Sequence, residues 1–150
     1  MGLYRTELKT SFTAHLARHQ VQDEVCVAAD RVTLRISMLL RTTYIVRARQ
    51  PGTCGYETVL AHERKHEAVD DALLAEQVPL LRVNIADALA ALPPPYPVPT
   101  RDVGAASAEL SELIATVVKR GASALFAARA TRQAQIDSAL EYRRVRAACG

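Results

Sequence analysis

Two histidines and a glutamate near the middle of the chain have the types and spacing of a metal-dependent hydrolase motif. They form H-E-x-x-H at His62, Glu63 and His66. Residues four apart on a helix share one face, with Cβ atoms roughly 5–6 Å apart, so both imidazoles can bind one Zn²⁺ from the same side. Glu63 is then free to act on water at the metal, as in zinc hydrolases. These residues predict a zinc site with Glu63 as its general base.

This motif needs a helix, and the surrounding sequence predicts one. Apolar residues recur with the motif at helical spacing, which indicates a single stripe facing the core. The stripe consists of Val59, His62, Glu63, His66, Val69, Leu73 and Leu74. Charged residues at 64, 65 and 67 are unusual for such a helix and are expected to face solvent. The alternative is a surface helix whose histidines are simply solvated.

Before this helix, apolar and polar residues alternate over 30–49, which predicts a β-hairpin with its turn at Leu40. The same register places Cys26 opposite Cys54 and predicts a disulfide between them. Such a bridge would indicate an oxidising compartment. The alternative is three reduced, buried thiols, with Cys149 as the third cysteine.

The other segments predict one more strand, several helices and a stiff spacer. A strand is expected over 3–16, the motif helix over about 56–77, further helix over 80–92, a proline-rich extended spacer over 93–99 and a long helix over 104–133. Pro79 is expected to end or kink the motif helix. Ser138 and Glu141 form a capping box, S-x-x-E, that opens a last short helix.

A catalytic zinc site needs a third protein ligand and one open position. Asp70 lies a further helical turn beyond His66, and a straight helix carries its carboxylate past the metal. Asp87 follows His66 in the sequence at a separation that suits a ligand on a second helix. Asp137 lies at a break between two helices, where its side chain can be aimed inward. It can equally be a helix-start residue beside Ser138.

Composition limits the class of protein. A chain of 150 residues with 49% hydrophobic content fits one domain over 1–150. The net charge of +3 is spread without a Lys/Arg run, which argues against nucleic acid as a partner. No apolar run is long enough for an integral membrane segment. No signal-peptide pattern follows Met1, so we expect a cytosolic protein or a mature secreted form.

Two stretches resemble a bacterial family of predicted secreted zinc-dependent proteases. They are C-G-Y-E-T-V-L-A-H-E-R-K-H, after the expected hairpin, and I-D-S-A-L-E-Y-R-R near the C-terminus. The resemblance covers 25–149 and implies secretion or a periplasmic location. The site residues that it implies are the zinc ligands His62, His66 and Asp137, the general base Glu63 and a possible oxyanion donor, Tyr142.

The sequence therefore predicts an α+β fold of minimal zincin-like type. A small N-terminal antiparallel sheet of about three strands would pack on the H-E-x-x-H helix and on C-terminal helices. The predicted function is zinc-dependent hydrolysis of bonds in a peptide or protein substrate. The alternative from another class is a secreted or periplasmic, non-catalytic module that binds zinc or a partner.

Overall fold

The structure is a computed structural model that describes residues 2–149, and it confirms the α+β fold. In chain order the elements are β1 (Gly2–Val21), β2 (Glu24–Ile45), α1 (Cys54–Ala90), β3 (Pro97–Pro99), α2 (Val103–Ile136) and α3 (Ala139–Ala147). The strands form an antiparallel sheet in the order β1–β2–β3. The predicted sheet of about three strands is therefore present. Its third strand, β3, lies in the segment that was expected to be a proline-rich spacer, and β1 and β2 are longer than expected.

The hairpin is formed by β1 and β2, whose turn lies at Gln22 and Asp23. The predicted turn at Leu40 is wrong, because β2 continues through Leu40 to Ile45. Leu40 does have a positive φ of 56°. However, the residues around it include none of the Gly, Asn or Pro that hairpin turns favour. Alternation of apolar and polar residues is the same in one long strand and in two short ones, so it could not locate the turn.

The disulfide joins Cys54 to Cys149, with Cα atoms 5.7 Å apart. The predicted Cys26–Cys54 bridge is wrong, because it depended on the hairpin turn at Leu40. Cys26 has a free, half-buried thiol and lies in β2 opposite Pro97 of β3. The bridge connects the first residue of α1 to the segment that follows α3.

The helices follow the predictions closely, except at Pro79. α1 runs through Pro79 to Ala90 as one helix, although proline provides no N–H to the helical hydrogen bonds. The helix therefore does not end at this position, and the other expected outcome, a kink at Pro79, stays a prediction. The predicted capping box is confirmed in part, because the Ser138 hydroxyl accepts a hydrogen bond from the Glu141 N–H at 3.3 Å.

The described residues form two compact units. The first contains 2–9, 37–79 and 125–149, and with them the H-E-x-x-H motif, the end of α2 and all of α3. Within this unit α1 packs on the sheet. Arg41 of β2 donates to Tyr4 of β1 at 3.4 Å and to Asp71 of α1 at 2.6 Å. Leu73 of α1 is fully buried.

The second unit contains 10–36 and 80–124. Its apolar cluster combines β2, β3 and α2 through Val25, Val27, Val98 and Val103. Its helices pack closely at Gly121 of α2, where an added Cβ would come within 2.8 Å of Leu81 on α1. β1, β2, α1 and α2 each run through both units. A single domain over 1–150 remains a prediction.

The cysteine pairing can be tested by peptide mapping without reduction and by unfolding in urea. We expect a Cys54–Cys149 linked peptide and a free thiol at Cys26. The bridge spans 95 residues, and Cys149→Ser should lower the free energy of unfolding by about 4 kcal/mol, because the unfolded chain loses a long closed loop. Cys26→Ser is the control and should change it much less. A linked peptide containing Cys26 would contradict the structure.

Candidate metal centre

The helix α1 places the three motif residues on its buried face. His62, Glu63 and His66 are 6%, 4% and 8% exposed. Val59 and Leu73 lie on the same stripe and are also buried, as expected from the helical spacing of these residues. The alternative of solvated surface histidines is therefore wrong.

Asp137 meets the two histidines from the other end of the chain. Its Oδ1 atom is 3.4 Å from Nε2 of His62 and 3.4 Å from Nε2 of His66. The three ligand atoms all lie within 4.8 Å of one another. In a tetrahedral zinc site with bonds of 2.0–2.1 Å, neighbouring donor atoms are about 3.3 Å apart. The group of two imidazoles and one carboxylate could therefore hold a metal ion, and its two nitrogen–oxygen distances of 3.4 Å are close to the spacing in a tetrahedral zinc site.

The local sequence explains how Asp137 reaches this position. α2 ends at Ile136, and α3 begins after the N-cap residue Ser138. Asp137 is thus the residue at the break between two helices, and its N–H still donates to the Gln133 carbonyl at 3.4 Å. Its side chain stays 46% exposed, so the group has two buried donors and one that solvent can reach.

Tyr142 lies next to this carboxylate. Its hydroxyl donates to Asp137 Oδ1 at 2.8 Å, and its ring centre is 5.7 Å from that of His62. The hydrogen bond to Asp137 raises the pKa of Tyr142 above its usual value, because the neutral hydroxyl is the donor. The structure places Tyr142 in the site, and its role as an oxyanion donor remains a prediction.

Each histidine has an oxygen near its second ring nitrogen. Nδ1 of His62 is 3.5 Å from Glu141 Oε1, and Nδ1 of His66 is hydrogen-bonded to Gln133 Oε1. Both oxygens accept hydrogen bonds, which favours the tautomer with the proton on Nδ1. Nε2 then keeps its lone pair on the side of Asp137. Histidines that bind metals in proteins almost always have such a partner.

Gln133 is itself fixed by a buried ion pair. Its amide nitrogen donates to the His66 carbonyl at 3.0 Å and to Asp70 Oδ1 at 2.7 Å. Asp70 is fully buried and accepts two hydrogen bonds from Arg129, at 2.8 and 3.0 Å. The Asp70 carboxylate is thus bound to Arg129 and Gln133. We describe these three side chains together as the Asp70 bracket.

Glu141 connects α3 to the motif helix. Its carboxylate accepts hydrogen bonds from Arg144 and Lys65. These two cations lower the pKa of Glu141 to about 2, because they stabilise its charged form. Lys65 is one of the charged residues that are unusual in a motif of this kind. Its partner on α3 explains its presence.

Sequence reasoning missed Arg129 and Gln133, and it predicted Glu141 only as part of the capping box, without its contacts to His62 and Lys65. A signal for the first two was present, because 129, 133 and 137 are four residues apart and lie on one face near the end of α2.

Asp87, the other open candidate for the third ligand, is exposed. It lies in the second unit and is not part of the three-residue group found among residues 2–149.

A cavity of about 640 Å³ in the first unit opens onto the site, and His62, Glu63, His66 and Asp137 line it. The start of β1 approaches Glu63 closely. A Cβ added to Gly2 would collide with the Glu63 carboxylate and come within 2.6 Å of Val59 Cγ1. A residue without a side chain is therefore required where β1 passes the motif.

Comparisons of the chain with protein-family models, with curated proteins and with solved structures found no match. Within the described part of the chain, no helix is long and apolar enough to cross a membrane.

The role of Gln133 can be tested by measuring metal affinity. Gln133→Ala removes the acceptor at His66 Nδ1, and comparable changes around metal ligands cost roughly 10- to 100-fold in affinity. Gln135→Ala is a matched control, because Gln135 is exposed on the same helix. Competition with a chromogenic zinc chelator would measure both variants. Equal affinity in the two variants would show that Gln133 does not orient His66.

Proposed function

We propose that this protein is a zinc-dependent peptidase in which His62, His66 and Asp137 hold the metal. The observation that carries the proposal is the approach of both Nε2 atoms to the same Asp137 oxygen at 3.4 Å. Glu63 is buried beside them on the same helix face. Three protein donors and a neighbouring carboxylate are the parts that a hydrolytic zinc site requires.

The number of donors favours catalysis over a structural zinc site. Structural zinc sites are usually closed by four protein ligands, whereas catalytic sites keep one position open. Among the described residues, the group that could hold a metal contains three side chains. The cavity that they line would give a substrate access to such an open position. These features support the peptidase over the alternative of a non-catalytic binding module.

A zinc ion held here would act as a Lewis acid on the scissile carbonyl and make water acidic enough to attack it near neutral pH. Glu63 would accept the proton of the attacking water on its carboxylate and donate it to the leaving amine. The buried position of Glu63 on the motif face suits this transfer. The Tyr142 hydroxyl donates to Asp137 Oδ1 in this structure. With a substrate bound, it would instead donate this hydrogen bond to the oxygen of the attacked carbonyl.

The proposed compartment is the periplasm or the cell exterior. The Cys54–Cys149 disulfide supports it, because such bridges persist in oxidising compartments. The likeness of the motif helix and of the tail over 136–144 to predicted secreted bacterial zinc proteases agrees with the same location. We therefore propose membership of that family, with a peptide or protein as the substrate.

The role of Glu63 can be tested by exchanging its carboxylate for an amide. Glu63→Gln should keep the zinc but lose roughly 10²- to 10⁴-fold in the rate of peptide hydrolysis, because the amide cannot accept the proton. Glu67→Gln makes the same change one turn further along α1 and should leave the rate unchanged. The measurements are zinc content and cleavage of a mixed peptide library. Equal rates in Glu63→Gln and the parent would assign the hydrolysis to another group.

The third ligand can be tested by zinc binding alone. Asp137→Ala should weaken zinc affinity by more than about 100-fold, beyond the effect of losing a residue that only orients a ligand. His66→Ala should do the same. Asp87→Ala is the control and should not change the affinity, because Asp87 is exposed and outside the group. Zinc affinity that is unchanged in Asp137→Ala and lowered in Asp87→Ala would overturn the assignment of Asp137 as the third ligand.

A further inference from the structure

The cavity at the candidate site has more positive than negative side chains. Four arginines line it, Arg5, Arg49, Arg129 and Arg146, together with the two carboxylates Glu63 and Asp137. Arg129 is already bound to buried Asp70. The other three arginines form no ion pair with any residue in the described range 2–149.

These three arginines come from separate elements of the first unit. Arg5 lies on β1, Arg49 in the loop before α1, and Arg146 on α3. The guanidinium of Arg49 is held by a hydrogen bond from Nη1 to the Gly55 carbonyl, at 2.9 Å. Arg146 lies close in sequence to Cys149, whose disulfide ties the tail to the start of α1. The three arginines that line the cavity thus come from three different segments and do not belong to one solvated helix face.

We propose that this cavity binds peptides through carboxylates that flank the scissile bond, so that the substrates are acidic. The proposal rests on the proposed function, which assigns Glu63 and Asp137 to catalysis and zinc and leaves the three arginines for the substrate. Arginine forms strong, paired hydrogen bonds with carboxylates. A cleft lined by one sign of charge also concentrates ligands of the opposite sign. The carboxylate can belong to a Glu or Asp side chain or to a peptide C-terminus.

The experiment measures binding, so that it does not depend on turnover. Zinc-loaded Glu63→Gln protein is titrated with fluorescent peptides that share one sequence except for Glu, Gln or Lys at the positions flanking the central bond. We expect the Glu peptide to bind roughly tenfold more tightly than the Gln peptide, and the Lys peptide to bind least. Peptides with a free or an amidated C-terminus distinguish a terminal carboxylate from a side-chain carboxylate. Equal binding of all four peptides, with Glu or Gln and with a free or an amidated C-terminus, would overturn the proposal.

Variants of the three cavity arginines identify which side chains bind the carboxylate of the peptide. Arg5→Ala, Arg49→Ala and Arg146→Ala should each weaken binding of the Glu peptide by roughly fivefold, the upper range for exposed charge pairs, and leave the Gln peptide unaffected. The matched controls are Arg47→Ala in the same loop as Arg49 and Arg143→Ala on α3, both exposed and outside the cavity lining. An acidic preference that persists when all three cavity arginines are replaced would overturn the proposal, provided that circular dichroism shows the fold intact.

Two further measurements distinguish carboxylate binding by the arginines from binding by the metal and from a general affinity for phosphate. The zinc-free protein should keep the preference for the Glu peptide, and loss of the preference on zinc removal would assign carboxylate binding to the metal and overturn the proposal. A DNA oligonucleotide of equal charge that displaces the Glu peptide would assign the arginines to phosphate and would also overturn it. Absence of cleavage of every peptide by the parent protein would instead refute the proposed peptidase activity, and the binding measurements would still decide the role of the arginines.

Discussion

The candidate metal centre depends on holding the last part of the chain against the beginning of α1. A single helix face provides two imidazoles four residues apart, and a straight helix cannot bring a third donor to the same point. The third donor, Asp137, reaches them because several contacts hold the tail in place. They are the Cys54–Cys149 disulfide, the hydrogen bond from Lys65 to Glu141, and the contacts of Gln133 with His66. Each of these contacts joins α1 to the region around or after the end of α2.

The Asp70 bracket shows how buried polar groups are accommodated next to such a site. Burying an unpaired carboxylate is costly, and an ion pair in the interior compensates for this only when its geometry is good and its other atoms are hydrogen-bonded. Asp70 meets this condition with two hydrogen bonds from Arg129 and one from Gln133. Among the described residues, no buried side-chain nitrogen or oxygen lacks a hydrogen-bond partner. The Asp70 bracket therefore fixes the direction of the His66 ring and leaves no buried polar atom without a hydrogen-bond partner among the described residues.

The sequence predicted local features well and long-range pairings poorly. The stripe containing His62, Glu63 and His66 followed from helical periodicity, and the cap at Ser138 followed from short-range hydrogen bonding. Both depend on residues within one or two turns of each other. The turn at Leu40 and the Cys26–Cys54 bridge were wrong because strand register is set by the partner strand, which alternation cannot identify. Gln133 was not predicted, and Glu141 was predicted only as a capping residue, because glutamine and glutamate are common on solvated helix faces and only the packing of α2 and α3 gives them partners.

The disulfide makes the three-donor group sensitive to the redox state of the chain. Cys54 begins the helix that carries both histidines, and Cys149 follows the segment that carries Asp137. Cross-linking them raises the effective concentration of the carboxylate at the imidazoles, which is the same thermodynamic advantage that a short tether gives to a second binding module. The oxidised chain would then retain a metal ion more tightly than the reduced chain. By linkage, a bound ion would in turn favour formation of the Cys54–Cys149 bond, so that metal uptake and oxidation reinforce each other.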